Sequence, residues 1–121
     1  MILRCINSRR NFFNKLEELH THFEVRLGTL VRTKDGYRQK GVDTLIAIDM
    51  ITKAFMNHYD IAILVAGDRD FVNVVRAVKE FTGKLVYGAY EPSSVADELV
   101  RTFDNRIPLR EESLRAILFK L

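Results

Sequence analysis

The chain has 121 residues, 47% of them hydrophobic and 29% charged, with a formal net charge of +3. That length suits one domain with one core over residues 1–121, and that composition excludes a disordered or low-complexity chain. No apolar run reaches the roughly 20 residues of a membrane span, and the lone Cys5 has no second cysteine for an internal disulfide. The opening MILRCINSRR has an apolar stretch too short for a secretory leader, with its charges after that stretch instead of before it. The reading is a cytoplasmic protein without membrane contact.

Charge is distributed unevenly. Residues 1–40 carry nine Lys/Arg against four acids, residues 41–104 carry six against ten, and residues 105–121 carry four against two. An acidic middle framed by basic ends suits a metal site that works on a phosphate polymer; a solvated charged surface accounts for the same numbers.

In chain order, Ile2 to Ile6 is a short apolar run that predicts a buried strand. Ser8 is a candidate N-cap for a helix to about His22, with Phe12, Phe13, Leu16 and Leu19 on one face. Phe23 to Val31 reads as a second strand, and TKDGYRQKG (33–41) as a polar loop carrying an Asp-Gly turn signal. A helix follows from about Val42 to His58, with Leu45, Ile48, Ile51 and Phe55 as its inward stripe. IAILVAG (61–67) is nearly all apolar, the pattern of a parallel strand covered on both faces. Asp70 opens a helix with Val74, Val75 and Val78 facing in, ended near Gly83. LVYGAY (85–90) is a strand, Ser93 or Ser94 heads a helix to about Phe103, a short strand lies near Ile107, and Glu111 to Phe119 is a last helix. Alternating strands and helices with short connections predict a mainly parallel sheet with helices on both faces, and ligands then sit beyond the carboxyl ends of the strands.

GDRDF (67–71) occupies that position. Gly67 lets the chain turn at the strand end, and Asp68 and Asp70, one residue apart, both point into one crevice. Two close carboxylates repel unless a cation lies between them, and hard oxygen donors suit Mg²⁺ or Mn²⁺. The competing explanation is plain turn and capping chemistry. Asp43, in the first turn of the preceding helix, is favoured there by the helix dipole alone. Asp49, about 120° around the helix from Asp43, does not share its face and is read as a brace. Lys40 precedes that helix and is placed to meet a phosphate, or to be solvated. Tyr37 with Arg32, Lys34, Arg38 and Lys40 makes a basic segment with an aromatic, suited to single-stranded RNA or simply to a polar loop. His20, His22 and His58 have no metal-type spacing. No glycine-rich phosphate loop is present, so no nucleotide cofactor is expected.

Taken together, QKGVDTLIAIDM (39–50), DIAILVAGDRDFVNVVRAV (60–78), GKLVYGAY (83–90) and the Ser-headed helix ending in FDNRIPL (103–109) resemble the NYN domain, the LabA-like branch of the PIN-like nuclease superfamily. The resemblance spans roughly residues 2–109, and the Lys-Gly-Val-Asp and Gly-Asp-x-Asp-Phe blocks carry it jointly. It implies a three-layer α/β/α, PIN-like (Rossmann-like) fold and metal-dependent cleavage of RNA. It implies Asp43, Asp68 and Asp70 as catalytic metal-site carboxylates, Asp104 as a late acidic metal position, and Ser94 as the serine that opens the following helix. Arg69, between the two acids, is placed either to neutralise them or to hold a scissile phosphate, with Lys40 and Arg38 as further RNA contacts. Such domains begin with a strand ending in an Asp-x-x-Asn-like motif. This chain starts at what corresponds to the second strand, so the expectation is an amino-terminally truncated domain lacking that first carboxylate, for which Asn7 and Asn11 are poor substitutes. The exposed sheet edge this leaves invites a homodimer.

The primary reading is therefore a metal-dependent endoribonuclease using Mg²⁺ or Mn²⁺, impaired by the missing acidic strand. The alternatives are a non-catalytic module of the same fold that binds RNA or a protein, and an unrelated doubly wound domain using Asp68 and Asp70 in phosphoryl transfer.

Overall fold

The structure, a computed structural model, describes residues 2, 3, 14, 15, 18, 24 and 26–118. Most of the strand expected over 2–6 and of the helix expected over 8–22 lies outside these residues. The chain forms two compact units, residues 1–48 and 49–121, with the division falling inside a helix.

In the first unit, β1 (Ile2–Leu3) pairs in parallel with β2 (Arg26–Leu27). β3 (Thr29–Thr33) and β4 (Gly36–Lys40) form an antiparallel hairpin with Thr29 opposite Lys40 and Arg32 opposite Tyr37. The segment expected as a polar loop is thus a strand. Its polar residues carry no alternation to announce a strand, but the Asp-Gly dipeptide is the chemistry of a tight hairpin, and here the turn is Lys34–Asp35. Thr33 Oγ1 donates to the Gly36 carbonyl at 3.1 Å across it. Gly41, at φ 90°, leads from β4 into α1 (Val42–Phe55) through a backbone conformation that favours glycine. Its carbonyl accepts from Leu45 N at 3.0 Å, the first bond of the helix.

α1 ends three residues before the expected His58, and Asn57 follows in the left-handed region at φ 57°. Its expected stripe holds only in part. Leu45 and Ile51 are half-buried, whereas Ile48 is 52% and Phe55 63% exposed, and Ala54 is buried.

In the second unit, β5 (Ile61–Val65), β6 (Leu85–Tyr90) and β7 (Asn105–Pro108) make a parallel sheet in that order. Ile61 pairs with Leu85, Val65 with Ala89, and Ala89 with Ile107. α2 (Val72–Thr82) packs Val75 and Val78, both fully buried, toward Val86 of β6, also fully buried. Gly83, at φ 68°, closes the helix as expected, its N–H bonded to the Lys79 carbonyl. α3 (Asp97–Thr102) adds Leu99, and Phe103 just after it lies over Gly88 and stacks at 6.2 Å between ring centroids on Tyr90. α4 (Glu111–Leu118) follows β7.

Two expectations fail in this unit. β5 is not covered on both faces: Leu64 is buried, but Ile61, Ile63 and Val65 are 44%, 62% and 67% exposed. An apolar run reports what both faces prefer, and among the described residues β5 stands at the end of its sheet with only its Leu64 side covered. Nor does Ser93 or Ser94 cap α3. Residues 92–95 form a turn held by Glu91, and α3 begins at Asp97 behind Ala96, which makes no side-chain cap. Among the described residues no helix is long and apolar enough to cross a membrane.

Candidate functional site

The loop that leaves the carboxyl end of β5 is built by backbone contacts with the turn before α3. Ala66 N extends the β5–β6 ladder to the Ala89 carbonyl at 3.2 Å, and Ala96 N donates to the Gly67 carbonyl at 3.0 Å. A Cβ at residue 67 would lie 3.3 Å from Val95 Cα and 3.8 Å from the Ser94 carbonyl oxygen. Gly67 therefore serves by lacking a side chain where two backbones meet. Ser94 comes to this loop through its backbone.

Asp68 follows in extended conformation and caps a short 3₁₀ turn, Arg69–Phe71, its Oδ1 accepting from Asp70 N at 2.9 Å. The capping residue is thus Asp68, two residues before Asp70, for which that role was expected. Phe71 and Val72 are buried and anchor the turn to the core, so both carboxylates are held outward by apolar packing behind them. Asp68 and Asp70 are exposed. Among the described residues neither has an ion-pair partner. Arg69 does not neutralise them: its Nε meets Glu98 Oε2 of α3 at 2.9 Å. Glu98 lies too far along the chain for local patterning to have marked it as that partner. Arg69 and Glu98 line an open cleft with Arg76, Ala96, Asp97 and Arg101.

In the first unit, Asp43 is exposed in the first turn of α1. It shares a cleft of about 570 Å³ with Lys40, Gly41, Val42 and Thr44, and with Val31 and Thr33 of β3. Lys40 and Asp43 therefore face the same space. Arg38 lies in β4 opposite Val31. Asp49 is half-buried two turns along α1.

Asp104 stands elsewhere. Its Oδ2 accepts from Val86 N at 2.8 Å, its N–H donates to the Val86 carbonyl at 2.8 Å, and its Oδ1 meets Lys79 Nζ at 3.4 Å. Val86 is near the amino end of β6, whereas Asp68 leaves β5 beyond the level of Ala89. Three residues of strand, about 10 Å, separate the two levels. Asp104 is a clamp between β6 and α2, with both carboxylate oxygens engaged there. The late position in FDNRI is acidic because a buried strand end needs an acceptor.

Beside the loop, Glu91 accepts from the Ser93 hydroxyl and backbone N–H, and Ser94 adds to these hydrogen bonds; together they hold its carboxyl below the usual range.

The family model for the NYN domain matches residues 4–110. The solved structure of a protein of unknown function from Vibrio parahaemolyticus is similar at a TM-score of 0.74 and 26% identity, over 92% of this chain and 67% of that one. No curated protein matches significantly.

Proposed function

The chain belongs to the NYN domain family, within the PIN-like nuclease superfamily, and from that premise we propose that it hydrolyses the phosphodiester backbone of RNA with a divalent ion, Mg²⁺ or Mn²⁺, held by Asp43, Asp68 and Asp70. In this reading each of the three carboxylates, all exposed, offers an oxygen to the ion. The donor set fits: hard, anionic, solvent-accessible oxygens are what these two ions prefer. Such an ion, when bound, stabilises charge on phosphate oxygens and makes a bound water more acidic.

The observation that carries the reading is the Asp68–Asp70 pair. Asp68 uses one oxygen on Asp70 N, which fixes its carboxylate and leaves the second oxygen directed to solvent. Arg69, the nearest cation in sequence, is engaged by Glu98. Among the described residues the two negative charges thus have no ion-pair partner, an arrangement that favours a bound cation. Lys40, facing the same cleft as Asp43, brings a positive charge to a phosphate there.

The test is cleavage of end-labelled single-stranded RNA by the full chain. Products are expected with Mn²⁺ or Mg²⁺, and none with a chelator or in Asp70→Asn. RNA that binds but stays intact under all metal conditions refutes the nuclease and leaves a binding module.

A further inference from the structure

We propose that the β3–β4 hairpin is the arm that grips single-stranded RNA, with the Tyr37 ring as a platform on which one unpaired base stacks. The proposal rests on RNA being the substrate of the cleft that Lys40 and Asp43 line.

Tyr37 is 76% exposed, the most exposed of the large apolar side chains in the described chain. Among the described residues it makes no hydrogen bond and no ring contact. A tyrosine in a strand normally covers a core or pairs across the ladder, and this one stands open to solvent. It is not on a floppy loop: it sits in a five-residue antiparallel ladder, directly opposite Arg32, one pair from the Thr33–Gly36 turn. The backbone that carries the ring is therefore fixed in advance, which lowers the ordering cost of a stacking platform.

The charge of the hairpin matches the same partner. From Thr29 to Lys40 the sequence TLVRTKDGYRQK carries Arg32, Lys34, Arg38 and Lys40 against Asp35 alone. Arg32 stands beside Tyr37 in the ladder and Lys34 is at the turn, both exposed. A base that stacks on Tyr37 thus has cations next to it for its flanking phosphates, the combination by which single strands are held without sequence readout. The hairpin also runs directly into the cleft. Strand residues alternate between faces, so Val31, Thr33 and Lys40 line the cleft with Asp43 while Arg32 and Tyr37 point to the opposite face. One strand of RNA wrapped over the hairpin would meet the ring on one side and Lys40 on the other. Double-stranded RNA keeps its bases stacked on each other and has none to offer the ring.

The chain contains no tryptophan, so Tyr37→Trp installs a single reporter at the platform. In a chelator, to exclude cleavage, titration with an oligouridylate is expected to quench that emission in parallel with the rise in anisotropy of the labelled oligonucleotide, and a duplex of equal length is expected not to quench it. Tyr37→Phe keeps the affinity for single strands. Tyr37→Leu, which preserves an apolar side chain without the π face, loses about tenfold. Binding without quenching, equal affinity of Tyr37→Leu and the native chain, equal quenching by duplex, or no binding of single-stranded RNA at all each overturns the proposal. The outcome is separate from that of the nuclease: quenching without metal-dependent cleavage leaves the platform and removes the enzyme, and cleavage without quenching does the reverse.

Discussion

Asp68 carries two roles that two substitutions separate. Its Oδ1 caps the 3₁₀ turn through Asp70 N at 2.9 Å, and in the proposed function its charge also holds a divalent ion. Asparagine is as good a cap as aspartate, whereas alanine costs about 1 kcal/mol. In a chain of 121 residues that loss lowers the melting temperature by about 4 °C. The metal contributes on top of this. With a dissociation constant of about 1 mM and about 10 mM ion, linkage stabilises the fold by roughly 1.4 kcal/mol, a rise of about 5 °C. Thermal melts with and without Mn²⁺ then give a pattern of three. The native chain melts at its reference temperature and rises with metal. Asp68→Asn starts at the same temperature and does not rise. Asp68→Ala starts lower and does not rise. A full metal-induced rise in Asp68→Asn would refute the ligand assignment, and a metal-free melt of Asp68→Asn as low as that of Asp68→Ala would refute the capping argument.

Three further outcomes follow from the same structure. Gly88→Ala places a Cβ 1.9 Å from Phe103 Cε2, and overpacking of this kind costs about 1–3 kcal/mol, read as a lower urea midpoint; Phe103→Leu in the same chain should recover part of it. Asp104→Ala leaves Val86 N without its acceptor at the edge of the core, a loss of about 1–3 kcal/mol, while the metal-induced rise in melting temperature stays as in the native chain; loss of that rise would return Asp104 to the metal site. Glu91, whose carboxyl is held low chiefly by the Ser93 hydroxyl and N–H, gives stability that is present above its unfolded value of 4.5 and is lost as pH falls through the lower folded one. The slope of melting temperature against pH below 4.5 should therefore flatten in Glu91→Gln, and an unchanged slope would mean that these hydrogen bonds do not persist in solution.

What was legible in the sequence is what local chemistry decides. The apolar run at 61–65, the turn at 67–70 and the left-handed Gly83 follow from hydrophobicity, turn propensity and the lack of a Cβ, each a property of a few neighbouring residues. Asp68 was legible as a turn residue for the same reason. Misreadings arise where a distant residue decides. Arg69 looked placed to neutralise its neighbours, and the partner that takes it away, Glu98, comes from another element. Gly67 looked like a flexible joint, and its actual neighbour is the backbone of Val95. The strand at 36–40 was hidden because its residues are polar throughout, so the period of two that marks a half-buried strand is absent. The inward stripe of α1 was drawn through four large apolar residues, of which Leu45 and Ile51 are half-buried and Ile48 and Phe55 are exposed.

The parallel sheet makes the same side chain do opposite work at its two ends. In parallel strands the backbone N–H groups at the amino ends and the carbonyls at the carboxyl ends lack intra-sheet partners at the margins. Asp104 sits at the amino margin, where Val86 N needs an acceptor and Lys79 supplies a countercharge. There its oxygens are consumed, its charge is balanced, and what remains is cohesion between β6 and α2. Asp68 and Asp70 sit past the carboxyl margin of β5. Among the described residues the donor that reaches Asp68 there is the next turn's own N–H, and Arg69, the adjacent cation, is held by Glu98. Oxygen atoms and negative charge are left over and face solvent. Residue type alone does not distinguish a clamp from a ligand; the balance of donors and cations at each end of the strands does. Moving a cation to the carboxyl end should therefore convert that end toward the clamp state. With Glu98→Gln, Arg69 is released toward Asp68 and Asp70, and the metal-induced thermal shift should shrink while the metal-free fold is unharmed.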